Sequence, residues 1–227
     1  MFEEYKYKTE LHTHTSPASG CSKISPDTLT DVYKREGYTS IALTNHFIVS
    51  NEDPKIKIER YLDDYYKTKE LGRKKGINII LGAEIRFSEN INDYLLYGID
   101  EKELITINSL LDDGIVNFYK SYKNDRNIII QAHPFRDNMT FANPEYIDGI
   151  EAFNMHPSHN SRIGLAAQYA KRLGCIVTAG TDFHDYGYEG LCAILTKEPV
   201  TDSYMLAAVL KSRDYLIEIS GFRFLPY

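Results

Sequence analysis

Residues Lys8–His14 read KTELHTH, a short β-type run that ends on two histidines separated by one residue. Residues i and i+2 of a strand point to the same side, so His12 and His14 face one point. The placement recurs along the chain. Ser40–His46 reads SIALTNH, Asn127–His133 reads NIIIQAH and Ile176–His184 reads IVTAGTDFH, while a fifth apolar run, Ile79–Glu84 (IILGAE), ends on an acid. Asp182-Phe183-His184 repeats the i, i+2 geometry with a carboxylate and an imidazole.

Between these runs lie helical patterns. Ser25-Pro26-Asp27 opens a helix, with Ser25 suited to the N-cap and Pro26 to the first helical position, and Gly37 suits its end. A long charged helix is predicted over Pro54–Lys75, stopped by Gly76, and two helical stretches over Glu101–Asp125. Further helices are predicted over Ser158–Leu173 and Asp202–Ser212, and further strands at Tyr94–Ile99, Gly149–Phe153, Cys175–Ala179, Leu191–Leu195 and Tyr215–Ile219. Glu84 is expected just past its strand. Alternating strands and helices imply parallel strands joined by crossovers. Eight or nine such strands suggest a closed α/β barrel, which carries its chemistry at the C-terminal strand ends.

No composition shift or linker divides the 227 residues, so residues 1–227 are read as one domain. Hydrophobic residues make up 43% and charged residues 26%, which excludes disorder. No run approaches the roughly 20 apolar residues of a membrane span, and the first residues lack a secretory pattern, so a cytoplasmic protein with no membrane partner is expected. The net charge of −6 argues against a broad nucleic-acid surface. The locally basic stretch Lys67–Lys75 reads as the solvated face of a helix. Cys21, Cys175 and Cys192 are too few and scattered for a disulfide framework; Cys21 is either a metal ligand or, the preferred reading, a small buried residue, and Cys175 and Cys192 read as strand interior in the core.

Imidazole nitrogens and carboxylate oxygens together suit zinc, manganese or iron, and the histidine content argues against calcium. Taken singly, His46 or His133 is more simply a hydrogen-bonded core or surface histidine, and a lone His-x-His occurs by chance. As a set they differ: burying so many imidazoles and carboxylates without metal would be costly. His156 and His159, in Asn154–Asn160, either reach the pocket or cap a helix; His159 is read as a loop residue.

These residues in this order resemble the PHP (polymerase and histidinol phosphatase) family of metal-dependent phosphoesterases. The likeness spans about residues 8–220 through Glu10–Thr15, Leu43–His46, Gly82–Glu84, Ala132–Pro134 and Ala179–His184. The resemblance implies a distorted seven-stranded (β/α)7 TIM-like barrel, with two or three divalent ions (Zn, Mn or Fe) at the C-terminal strand ends. It implies one ion on His12, His14, Glu84 and Asp182, a second shared through Glu84 and taken by His133, and a third served by His46 and His184. It implies hydrolysis of phosphate esters by metal-activated water. Three departures stand out. Ser19-Gly20-Cys21 lacks the family's later His or Asp, Asn45-His46 replaces Asp-His and loses its charge, and Asn92–Tyr97 lacks a further histidine, for which Asp93 is the candidate substitute.

A leaving alkoxide needs a proton or a metal, which makes His46 and His184 the catalytic candidates, as general acids or as ligands. Arg86, Arg136 and Arg162, with His156, are candidates to grip phosphate, although surface arginine is the commoner explanation for each. The expected partner is a small phosphorylated metabolite or nucleotide. Alternatives are a nuclease acting on nucleic-acid ends, with some of the 18 tyrosines stacking on bases, an amidohydrolase-type enzyme, and a metal-binding scaffold without activity.

Overall fold

The computed structural model describes residues 2–226. Its strands are β1 (Tyr7–Thr13), β2 (Ser40–Leu43), β3 (Asn78–Leu81), β4 (Ala83–Arg86), β5 (Asp93–Tyr97), β6 (Ile128–Gln131), β7 (Gly149–Asn154), β8 (Ile176–Gly180), β9 (Cys192–Thr196), β10 (Leu216–Ile219) and β11 (Phe222–Phe224). Its helices are α1 (Pro26–Arg35), α2 (Pro54–Lys75), α3 (Glu103–Leu110), α4 (Gly114–Tyr122), α5 (Ile163–Leu173) and α6 (Ser203–Ser212). The caps act as the sequence suggests: the Ser25 hydroxyl accepts from Thr28 N at 3.2 Å, and Gly76, at φ +70°, ends α2 in the left-handed conformation.

The strands form two mixed sheets, β11-β10-β9-β1-β2-β3 and β4-β5-β6-β7-β8. The expectation of a closed, all-parallel barrel is corrected here: no continuous ladder closes the strands among the described residues. β1, β2 and β3 run parallel, as do β6, β7 and β8, but β4–β5, β5–β6, β1–β9 and β9–β10 are antiparallel. The six residues 87–92 joining β4 to β5 make a hairpin-length connection, too short for a parallel crossover. Single bridges join the sheets instead, Thr13 to Phe183 on one side and His46 to Glu84 on the other. The chain itself passes between sheets at Gly82, where a Cβ would lie 2.9 Å from the Thr44 methyl and 3.1 Å from the Tyr97 ring. Both seams therefore fall at the histidine- and acid-bearing strand ends.

The core is rich in tyrosines whose hydroxyls are spent internally. Tyr97 donates to Leu11 O at 2.7 Å, Tyr215 to Val177 O at 2.6 Å and Tyr61 to Gly82 O at 2.6 Å. Burying such rings is favourable only with the hydroxyl paired, and these tyrosines are removed from any base-stacking surface. On α2, Arg73 and Lys74 are exposed and bonded to Glu70, the solvated face expected. No helix is long and apolar enough to cross a membrane. The helix expected from Ser158 starts only at Ile163. The intervening loop turns on itself, with Arg162 at φ +46° and its N–H given to Asn160 Oδ1 at 3.1 Å.

Candidate metal centre

The strand ends deliver the candidate ligands to one place. His12 and His14, at the end of β1, are fully buried, with ring centroids 5.0 Å apart. Glu84 lies within β4 rather than past its strand, and the parallel bridge sets His46 beside it. His133 follows β6 at φ +32° and Asp182 follows β8 at φ +53°, a left-handed region uncommon for residues other than glycine, though Asp and His enter it more readily than most. Such strain persists where the surroundings dictate side-chain position.

Glu84 is the hub. Its Oε1 lies 3.3 Å from His12 Nε2 and 3.1 Å from His133 Nε2; its Oε2 lies 3.3 Å from His14 Nε2 and 2.8 Å from His46 Nδ1. Asp182 Oδ1 is 3.4 Å from His12 Nε2, 3.2 Å from His14 Nε2 and 3.3 Å from His184 Nδ1. Yet His12 Nε2, His14 Nε2, His46 Nδ1 and Glu84 Oε2 are buried atoms without a hydrogen-bond partner of acceptable geometry. Buried polar atoms left so are expensive, and four converging ones fit a cation coordinated between them. Ligand atoms of His12, His14 and Glu84 fall together, as do those of His12, His133 and Asp182, of Glu84, Asp93 and His133, and of His14, His46 and His184. Asp93 thus stands where the sequence lacked a further histidine.

Charge in the cluster is self-consistent. Burial alone would raise Glu84 and Asp182, but the imidazoles around them hold both carboxyls well below the ordinary range. Burial works against the charged imidazole at His12 and His46 too, but the facing carboxylates keep both well above the usual value. Burial and the neighbouring His46 and His184 keep His14 well below it, so His14 is neutral.

Glu151, which sequence reading passed over, orients His12. Its Oε1 takes His12 Nδ1 at 2.9 Å, and its Oε2 accepts from His133 N at 3.1 Å and from Asn154 Nδ2 at 2.8 Å. A carboxylate on the far ring nitrogen fixes the tautomer that leaves Nε2 free to ligate. The signal was available: Glu151 is a charged residue inside the apolar strand Gly149–Asn154. Glu151→Gln is expected to weaken metal binding about 10–100-fold, measured by calorimetric titration of metal-free protein.

The remaining candidates divide. A cleft of about 580 Å³ opens over the cluster, lined by Cys21, Arg86, Asp93, Arg136, Met139, His156 and His159 among others. His159 is an exposed loop residue, as read, and borders the cleft, while Cys21 is exposed at the mouth rather than buried. Burial would raise the Cys21 thiol, but contacts from His184 and His46 bring it down to about 6. Arg86 is held by Asp93 at 2.7 and 2.8 Å, and Arg136 by Asp182 and by Asn154 Oδ1 at 2.6 Å. Arg162 does not line the cleft and bonds Phe135 O at 2.6 Å and Asp137 at 2.5 Å. Cys192 is buried as expected, and Cys175 is half-buried.

Residues 10–220 match the sequence profile of the PHP domain. The chain belongs to this family. No curated protein sequence matches it significantly. Among solved structures, this PHP chain is similar to PsfC from Pseudomonas syringae PB-5123, at 15% identity and a TM-score of 0.65 over 89% of this chain and 88% of that one. A two-domain protein from Bacteroides vulgatus ATCC 8482, described as containing a predicted PHP-like metal-dependent phosphoesterase, matches at 18% identity and TM-score 0.59 over 97% of this chain and 67% of that one. An amidohydrolase from Chromobacterium violaceum matches at 15% and 0.53 over 93% and 98%. At such identities the likeness is one of fold.

Proposed function

We propose that this PHP chain is a metal-dependent phosphoesterase acting on a small phosphorylated metabolite or nucleotide. The observation that carries the reading is Glu84, whose two oxygens each face two imidazoles while the imidazole nitrogens of His12, His14 and His46 lack partners. In this reading the two sheets are halves of a distorted barrel, residues 1–227 one domain, and the cleft its mouth. His12, His14, Glu84 and Asp182 hold one divalent ion, Glu84, His133 and Asp93 a second, and His46 and His184 are placed for a third. Zinc, manganese and iron suit this donor set.

Bound ions of this kind bring water's pKa toward neutrality and offset the negative charge of a phosphoryl group. The chain's residues do the rest. Arg136 and Arg86 border the cleft with guanidinium groups already oriented by Asp182 and Asp93, so the spare N–H donors meet an incoming phosphate without reorganisation. His184, exposed to the cleft, serves either as ligand to the third ion or, with only two ions bound, as the group that hands a proton to a leaving oxygen. The cleft volume suits a metabolite or nucleotide rather than a duplex.

The test is element-resolved metal analysis of purified protein joined to a phosphate-release screen over monoesters and diesters. Transition metal near stoichiometric, with turnover of at least one ester, is the expected result. Confirmed metal with no ester cleaved sinks the reading, and turnover of cyclic amides instead transfers it to amide hydrolysis.

A pH signature follows. In the metal-free protein burial opposes the His184 cation, but Asp182 and Cys21 raise it to about 9, so this imidazole carries a proton at neutral pH. Metal binding must expel that proton. Affinity is therefore expected to rise with pH through neutrality, the more so because His12 and His46 must also give up protons held above the ordinary range. Titrations at neutral pH in buffers of different ionisation enthalpy will show net proton release.

A further inference from the structure

A second chain of hydrogen bonds reaches the centre through His14, as Glu151 does through His12. Asp64, on α2, is 3% exposed although its carboxylate touches no cation. Its Oδ2 accepts from Asn45 Nδ2 at 2.8 Å and from the Thr15 hydroxyl. At the other end of the amide, Asn45 Oδ1 accepts from Thr15 N at 2.7 Å and from Ser19 Oγ at 2.8 Å. Ser19 Oγ accepts in turn from His46 N at 2.9 Å and lies 3.2 Å from His14 Nδ1.

Counting protons gives each bond a direction. A carboxylate only accepts and the Thr15 N–H only donates, so between them they turn the Asn45 NH₂ toward Asp64 and its carbonyl oxygen toward Thr15 N and Ser19. The Ser19 hydroxyl has one proton, and it goes to that carbonyl. Its remaining lone pair can only accept from His14, so His14 carries hydrogen on Nδ1 and presents a bare Nε2, the atom 3.3 Å from Glu84 and 3.2 Å from Asp182. With Asn45 reversed, Ser19 would face an amide donor and give its proton to His14 Nδ1. Hydrogen would then sit on Nε2 and occupy the ligating position.

We infer that Asp64 is a positioning residue that sets the metal-binding tautomer of His14 through Asn45 and Ser19. The inference rests on the reading of His14 as a ligand. It explains why an asparagine serves beside His46: the negative charge is present one hydrogen bond further back, on another element.

Two readouts test it. The first is the ¹⁵N spectrum of the histidine side chains in metal-free protein, with the His14 resonance assigned through Ser19→Ala. The second is metal affinity beside thermal stability. The expected pattern is His14 protonated on Nδ1 in the unaltered protein. Asp64→Leu, which removes the acceptor, is expected to lose that tautomer preference and to weaken metal binding about 10–100-fold. Asp64→Asn retains a carbonyl acceptor and is expected to keep both. Asn45→Asp sets two carboxylates against one another and is expected to weaken binding similarly. The double swap Asn45→Asp/Asp64→Asn returns one carboxylate and one amide to the pair and is expected to keep the tautomer and recover the affinity. Recovery in the swap bears on the inference even where Asp64→Leu fails to fold. Hydrogen on His14 Nε2 in the unaltered protein overturns the inference. So does unchanged tautomer and affinity in Asp64→Leu with lowered stability alone, or a swap no better than Asn45→Asp. Protein that binds no metal would overturn the ligand reading by itself, while the spectrum of the metal-free protein still decides the tautomer.

Discussion

Replacing Glu84 with glutamine is expected to strip the centre of metal and to lower phosphate-ester turnover by about a thousandfold or more, while the fold persists. Losing one well-placed electrostatic partner of a reaction commonly costs ~10²–10³ in rate, and Glu84 serves more than one ligand group. Its Oε1 faces His12 and His133 and its Oε2 faces His14 and His46. An amide keeps one acceptor and replaces the other with an NH₂. That NH₂ would donate into imidazole lone pairs meant for a cation, so the variant fills the site with hydrogen bonds. The fold survives because the imidazoles can adjust. With the carboxylate gone, His46 loses the main influence that holds it above its usual range and sheds its proton instead of remaining an unpaired buried cation, while His12 still faces Asp182 and Glu151. Metal content by elemental analysis, turnover, and far-ultraviolet circular dichroism separate these claims. A glutamine variant with full metal and full turnover would show that the hub lies elsewhere. Glu84→Asp keeps the charge but shortens the reach, and is expected to fall between the two.

The ligand set was legible because strands write their geometry into sequence. His12, His14, His133, Asp182 and His184 each close an apolar run, and two pairs stand at i, i+2, so a period of two places them at one end of the sheet layer. Asp93 was legible as a substitute only by position; its approach to Glu84 and His133 depends on the antiparallel register that sets Glu84 opposite Leu95 and Arg86 opposite Asp93. That register was where the reading failed. Alternation of strands and helices says nothing of strand direction when the connection is a hairpin, and the six residues 87–92 were the available clue. The short last strand was missed for the same reason: Ser220 and Gly221, at φ +48° and +86°, make a tight turn that returns Phe222–Phe224 onto β10. For Arg162, spacing after His156 suggests a helix start facing the cleft, whereas the loop before Ile163 carries its guanidinium to Phe135 and Asp137. Glu151, Ser19 and Asp64 stand behind the candidate ligands, hydrogen-bonded to other side chains. They act through other side chains, and spacing cannot show which buried polar group leans on which.

The supporting layer can be probed by packing alone at Gly180, the last residue of β8. A Cβ there would lie 2.4 Å from Glu151 Oε1 and 2.5 Å from His12 Cβ. Neither neighbour can yield cheaply: the carboxylate oxygen is bound to His12 Nδ1 at 2.9 Å, and the other contact is the root of a side chain fixed to β1. Gly180→Ala must therefore part β1 from β8 or swing His12 away from Glu151. Overpacking of this kind costs about 1–3 kcal/mol. A displacement near 1 Å at a ligand costs roughly a hundredfold in rate, so the functional loss is expected to exceed what the stability change alone would produce. Gly164→Ala is the matched control. It adds the same methyl near the start of α5, where nothing lies within 4 Å. Because alanine is the better helix former, that variant is expected to be neutral or stabilised by up to about 1 kcal/mol, with full metal content. Thermal melts and metal titration of the two variants decide the matter. If Gly180→Ala binds metal as tightly as Gly164→Ala, the close contact of β1 with β8 does not hold His12 in place, and the orienting role of Glu151 loses its structural basis.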